Sequence, residues 1–166
     1  MMRLDLRSVV RTAVFLAIAV VVQSMRMPQL VTGSAVNAVL YVTALYLGPV
    51  YGAAIGCLTP WIALLTGIMK LAPLLPVVIA GNVTLALMSG YVGKKSRYLG
   101  VGLAAVAKYL VMTMGVKYLI SLGTKVPPAA YTMFTTTQLV TALIGAGLAL
   151  IIYGAIGRVK RDGSSS

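Results

Sequence analysis

Long apolar runs, separated by short polar or proline-containing breaks, make up most of this chain. The clearest break lies inside 32–67, an uncharged stretch that is too long for one membrane span of about 20 residues and suits two. Gly48 and Pro49 divide this stretch, because proline cannot continue a preceding helix and moves the residue before it out of the α region. The pattern therefore predicts a helical hairpin inside a lipid bilayer.

The same pattern over the whole chain predicts six membrane-spanning helices. Their expected bounds are 8–25, 34–48, 50–68, 73–93, 99–122 and 130–157, and 158–166 would form a cytoplasmic tail. Composition agrees, since 60% of the residues are hydrophobic and only 10% are charged, against about 25% charged residues in a soluble domain. We therefore expect an all-α integral membrane protein with a single membrane domain over 1–166.

Basic residues set the expected orientation of these spans. They cluster before the first span, between the fourth and fifth, and after the sixth, whereas each opposite loop carries one: Arg26, Lys70 and Lys125. Because cytoplasmic loops carry the excess of Lys and Arg, both termini are predicted to be cytoplasmic. The net charge of +12 follows this topology. Nucleic-acid binding is not expected, since no basic helix or aromatic-interleaved surface would carry it.

Patterns for catalysis and metal binding are missing from the sequence. There is no histidine, one cysteine (Cys57), and two acidic residues, Asp5 and Asp162, which both lie outside the predicted spans. A phosphate-binding loop of the G-x-x-x-x-G-K-[ST] type and a catalytic pair of carboxylates are also absent. We therefore expect no enzyme activity, cofactor or metal. Without a carboxylate at membrane depth, ion-coupled transport by this chain alone is not expected either.

Few polar side chains fall inside the predicted spans, namely Asn37, Asn82, Lys108, Lys117 and Gln138, and candidate site residues are sought among them. An amide in a membrane helix can join helices or bind a ligand, and both roles stay open for Asn37 and Asn82. Pro60 interrupts the third span and frees a backbone carbonyl, so a kink there has to be buried in protein or face a polar cavity.

The two lysines of the fifth span have different expected roles. At about 100° per residue, Lys108 and Lys117 lie on opposite faces of a helix and are not expected to share a site. Lys108 is expected to extend its side chain to the cytoplasmic surface. Lys117 lies nearer the outer end, where the membrane surface and a ligand stay open as alternatives. A lysine in an outer pocket favours an anionic or carboxylate-bearing ligand.

Several of these features together resemble the substrate-binding S component of energy-coupling factor (ECF) vitamin transporters. The shared features are a short chain, six spans, cytoplasmic ends and the A-V-F-L-A stretch at 13–17. The most specific likeness is the Gly-Pro turn followed by G-x-x-x-G-x-x-T-P at 52–60, and the I-A-G-N stretch at 79–82 fits as well. The resemblance covers nearly the whole chain.

This resemblance implies a function and a set of partners. An S component binds a vitamin or related micronutrient from outside a prokaryotic cell membrane. It docks on a membrane T component that sits on two cytoplasmic ATPases. The resemblance implies that Ala13 and Ala17 contact the T component. It also places the substrate pocket in the outer halves of the helices and the loops, which points to these residues: Arg26, Asn37, Asn82, Lys117, Tyr131 and Gln138.

Two other classes of protein stay open at this stage. The chain could be a small membrane structural or assembly protein without a transported ligand, or a self-sufficient small channel or carrier. A small molecule that co-purifies with the protein would favour the S-component interpretation over a structural role.

Overall fold

The structure, a computed structural model, describes residues 6–162 and the side chains of residues 6–156. This part of the chain is built from helices without a β-strand. The helices are α1 (Leu6–Ser24), α2 (Gln29–Tyr46), α3 (Pro49–Leu65), α4 (Leu75–Val92), α5 (Arg97–Ser121), α6 (Pro128–Phe134) and α7 (Thr136–Asp162). A 3₁₀ turn over Ala72–Leu74 leads into α4.

Four segments of the described chain are long and apolar enough to cross a membrane. They are Leu6–Ser24, Ala72–Val92, Arg97–Ser121 and Pro128–Ile156. Helix α3 is apolar but shorter, and α2 buries the polar side chains of Ser34, Asn37 and Thr43 within the bundle. The prediction of an all-helical membrane protein is confirmed at this level, and the cytoplasmic location of both termini stays a prediction.

The hairpin predicted between residues 32 and 67 is present. Helix α2 ends at Tyr46 and α3 begins at Pro49, and Gly48 between them has a φ of 126°, a conformation that favours glycine. The two helices pack closely, because a Cβ added at Gly52 would lie 2.9 Å from the Cβ of Ala44. The small residues of this stretch therefore allow the close helix approach that membrane interiors require.

The last predicted span, 130–157, contains two helices. The backbone of Thr135 has φ −120° and ψ −90°, which is not helical, and it separates α6 from α7. Prolines 127 and 128 start the short α6, and the Thr135 hydroxyl donates to the carbonyl oxygen of Tyr131 at 2.7 Å. Side-chain bonds of this kind compete with the helical backbone ladder and help to explain the break.

Two clusters of buried apolar side chains fill the bundle. One contains Leu40, Tyr41, Ile55, Leu85, Ala104 and Ala105 among its members. The other contains Leu74, Leu75, Met112, Val116 and Phe134 among its members. On α5, Lys108 lies between the residues that belong to the first cluster and those that belong to the second, and it is itself buried. A lysine thus lies at the junction of the two apolar cores.

Helix α1 is the least enclosed of the long helices. Its main contacts are with α2 and α3, and Ala19 is its buried residue. Ala13 and Ala17 are exposed, so these two small residues face away from the bundle.

Candidate functional site

A cavity of about 370 Å³ lies at the end of the bundle that carries the α1–α2, α3–α4 and α5–α6 connections. All seven helices of the described residues contribute to its lining. The polar lining residues are Gln23, Gln29, Thr32, Asn37, Lys70, Asn82, Lys108 and Gln138. Much of the remaining wall is apolar and includes Val36, Ala63, Met69, Val78 and Phe134. This volume falls within the range of about 300–1,000 Å³ that is typical of small-molecule sites.

The ammonium group of Lys108 lies at the inner end of this cavity between two asparagines. Its Nζ donates to Asn37 Oδ1 at 2.7 Å and to Asn82 Oδ1 at 2.8 Å, and the side chain is only 2% exposed. The three residues come from α5, α2 and α4. Because an ammonium group has three N–H donors, the two asparagines leave one donor for a group in the cavity.

Both asparagine amides are held by a second layer of hydrogen bonds. Asn37 Nδ2 donates to Thr141 Oγ1 at 3.2 Å, and Thr141 Oγ1 donates to the carbonyl oxygen of Gln138 at 3.1 Å. Asn82 Nδ2 donates to the carbonyl oxygen of Gly56 at 3.4 Å. Turning either amide over would place its NH₂ group against the ammonium, so the network fixes both amide orientations.

The carbonyl of Gly56 needs an outside donor because of Pro60. Proline has no N–H, so the carbonyl four residues earlier loses its helical partner. Asn82 supplies the missing donor, and Gly56 gives it room, since a Cβ at Gly56 would lie 3.1 Å from Asn82 Cβ. Pro60 is buried and lines the cavity, which confirms the prediction made for this proline. The G-x-x-x-G-x-x-T-P pattern thus positions one of the two asparagines.

Three of the predicted site residues come together in this cavity. Asn37, Asn82 and Gln138 all line it, and all three are buried. The sequence placed them in three different spans without indicating that the spans are neighbours.

Three other predicted site residues lie elsewhere. Lys117 and Arg26 are exposed, and Arg26 has a φ of 50° in the α1–α2 connection. Tyr131 packs against the apolar cluster around Phe134. None of the three is among the residues that form the cavity wall in the described structure. Their role in substrate binding stays a prediction, and this geometry does not support it.

The expectation that Lys108 extends to the cytoplasmic surface is wrong. The side chain is buried because amide oxygens on two neighbouring helices replace the water that the ammonium would otherwise seek. A cation at the centre of a membrane helix costs about 2.5–3.5 kcal/mol. Hydrogen bonds to a charged group are worth about 1.5–3 kcal/mol each, so two of them can offset that cost.

Sequence reasoning missed four polar residues of the cavity: Gln23, Gln29, Thr32 and Lys70. They lie at helix ends or in connections, where polar residues are ordinary and carry no signal of their own. Gln23 differs from the others in the structure, because its Oε1 is buried and has no hydrogen-bond partner among the described residues. The described residues also contain no group of three or more His, Cys, Asp or Glu that could hold a metal ion.

A helical membrane bundle with a small-molecule cavity of this kind defines a membrane subunit that binds a solute. The family model of the ECF transporter substrate-specific component matches residues 7–157, so the chain belongs to that family. The predicted resemblance is confirmed. The protein is therefore a substrate-specific transport subunit rather than an enzyme, and its family functions in a complex with a T component and ATPases. No curated protein and no solved structure matches the chain.

Proposed function

We propose that this chain captures a vitamin or related micronutrient from outside the cell and delivers it through a T component driven by two ATPases. The family supplies the transport class. Capture of a small molecule is supported by the cavity of about 370 Å³, which reaches from the helix connections to Lys108. Lys108 lies close to the middle of α5, about 16 Å along the helix from Arg97 at 1.5 Å per residue, so the cavity would carry a solute well into the membrane.

Charge distribution supports an outward-facing cavity. The connections at the cavity end carry one basic residue each, whereas the α4–α5 connection at the opposite end carries Lys94 and Lys95 and is followed by Arg97. The guanidinium carbon of Arg97 lies 4.4 Å from the ring centroid of Tyr153, an Arg–aromatic pair of the kind suited to a membrane interface. By the positive-inside rule, that end is cytoplasmic in a prokaryotic cell membrane, as are both termini.

The exposed face of α1 supports a contact with the T component. Small side chains let two membrane helices approach closely, and Ala13 and Ala17 are exposed on a helix that contacts the bundle mainly through α2 and α3. ATP hydrolysis belongs to the partner subunits in this proposal, since the sequence contains no nucleotide-binding loop.

Reconstitution tests this proposal. Native mass spectrometry of the purified chain should show a bound small molecule. In liposomes, that molecule should accumulate only when the T component, both ATPases and ATP are present. Uptake by the purified chain alone, driven by an ion gradient, would contradict the proposal and indicate a self-sufficient carrier.

A further inference from the structure

We infer that the substrate is a monocarboxylate whose carboxylate bonds to Lys108 at the inner end of the cavity. This inference rests on the proposed function and adds the substrate class. It is carried by the lack of an acidic partner for Lys108 among residues 6–161, by the orientation of its two asparagines and by the lining of the rest of the wall.

Lys108 has no acidic counterpart among residues 6–161. No Asp or Glu occurs between residues 6 and 161, so no carboxylate of these residues can neutralise the ammonium. Asn37 and Asn82 satisfy two of its donors with neutral oxygens. In the protonated form of Lys108, one positive charge and one N–H donor therefore remain for an anion in the cavity.

The surroundings of the ammonium favour a single carboxylate over a phosphate. Two amide oxygens lie beside Nζ, and both amide NH₂ groups donate elsewhere, Asn37 to Thr141 and Asn82 to Gly56. A phosphate dianion needs several donors and more positive charge than one lysine offers. A cationic substrate is disfavoured for the opposite reason, because the charged side chains of the described wall are Lys70 and Lys108.

The rest of the wall indicates the chemistry of the substrate body. Its apolar part is mostly aliphatic, with Phe134 as its aromatic ring, so the site does not depend on stacking several rings.

Matched pairs of small molecules test the substrate class directly. The probes are nicotinate against nicotinamide, pantothenate against its alcohol panthenol, and biotin against biotin methyl ester, with thiamine as the cationic probe. Binding to the purified chain in detergent would be followed by native mass spectrometry and thermal shift. We expect a monocarboxylate to bind and its neutral partner to bind about 10- to 150-fold more weakly, the loss of one charge-assisted hydrogen bond.

Substitutions locate the contact. Lys108→Met should weaken carboxylate binding by about 10- to 150-fold and remove the difference in affinity between the paired probes. Lys117→Met should leave the carboxylate affinity and the difference between the paired probes unchanged. If Lys108→Met does not fold, the comparison of carboxylate with neutral partner in the natural protein decides alone.

The outcomes separate this inference from the proposed function. Equal binding of a neutral partner, tight binding of thiamine, or a co-purified molecule without a carboxylate would overturn the inference. ATP-dependent uptake of such a molecule by the full complex would still support the proposed function. Absence of a bound small molecule together with absence of uptake by the full complex would overturn both.

Discussion

At the scale of single residues, Asn82 makes two hydrogen bonds whose partners cannot be identified from the sequence. Its Oδ1 accepts from Lys108 at 2.8 Å and its Nδ2 donates to the Gly56 carbonyl oxygen at 3.4 Å. The first bond stabilises a cation in the membrane interior, and the second satisfies a carbonyl that Pro60 leaves without a donor. The asparagine therefore connects Lys108 in the cavity to the proline-containing helix α3.

The first prediction tests this double role. Asn82→Leu should lower the free energy of unfolding by about 2–4 kcal/mol, because one buried donor of Lys108 and one buried carbonyl both lose a partner. Pro60→Ala restores an N–H that can bond to the Gly56 carbonyl within α3. The double variant should therefore be more stable than the sum of the two single effects predicts. Thermal and denaturant unfolding in detergent would measure all four proteins, and strictly additive effects would exclude the carbonyl bond as a stabilising contact.

A second prediction concerns two glycines of α7 that differ in their surroundings. A Cβ at Gly145 would lie 2.8 Å from Asn37 Cβ, whereas a Cβ at Gly147 would have no heavy atom within 4 Å. Gly145→Ala should displace Asn37, lower the unfolding temperature and weaken ligand binding. Gly147→Ala should keep binding and raise stability by up to about 1 kcal/mol through helix propensity. Unfolding temperatures of the two variants measured side by side would check this, and equal effects would mean that the α2–α7 contact is not tight.

At the scale of helices, the sequence predicted the elements well and their neighbours poorly. The break at Gly48 and Pro49 is encoded locally, because proline and glycine act on the backbone where they stand. The contact of Asn37 and Asn82 with Lys108 depends instead on α2, α4 and α5 being adjacent. The sequences of apolar spans do not indicate which helices are adjacent, since each span is hydrophobic on nearly every face.

The wrong expectation for Lys108 also arose because the sequence does not show which helices are neighbours. Helix periodicity correctly indicated that Lys108 and Lys117 do not share a site, and the structure has one buried and the other exposed. Distance from the membrane surface then favoured the outer lysine, but the partners on other helices decide which lysine is buried. Gln23 was missed for a related reason: a glutamine at the end of α1 becomes notable only when its Oε1 is buried without a partner.

The third prediction concerns the exposed face of α1. Ala13→Leu or Ala17→Leu should block assembly with the T component, because a larger side chain prevents close helix approach. Ligand binding by the isolated chain should be retained, since neither residue lines the cavity. Ala80→Leu, the same change on the exposed side of α4, serves as the control. Co-purification with the T component and a binding isotherm would be measured for each variant. Lost binding with intact assembly would reverse the assignment.

At the scale of the whole molecule, charge asymmetry and cavity position together predict which end faces outward. In a Cys57→Ser background, the Lys125→Cys variant should react with a membrane-impermeant thiol reagent in intact cells. The Lys95→Cys variant should react only after the membrane is permeabilised. The reason is the lower density of Lys and Arg at the cavity end. The opposite labelling pattern would place the cavity on the cytoplasmic side.

Every helix of the described chain, from α1 to α7, contributes to the cavity wall, and this has a consequence for biogenesis. A nascent chain cannot form the complete site until α7 has entered the bundle. Substrate then binds the finished fold and not its precursors, and by mass action it lowers the unfolded population about 100-fold when its concentration is 100 times Kd. Cells supplied with the micronutrient should therefore hold more of this protein at equal synthesis rates, because less of it is available to membrane proteases.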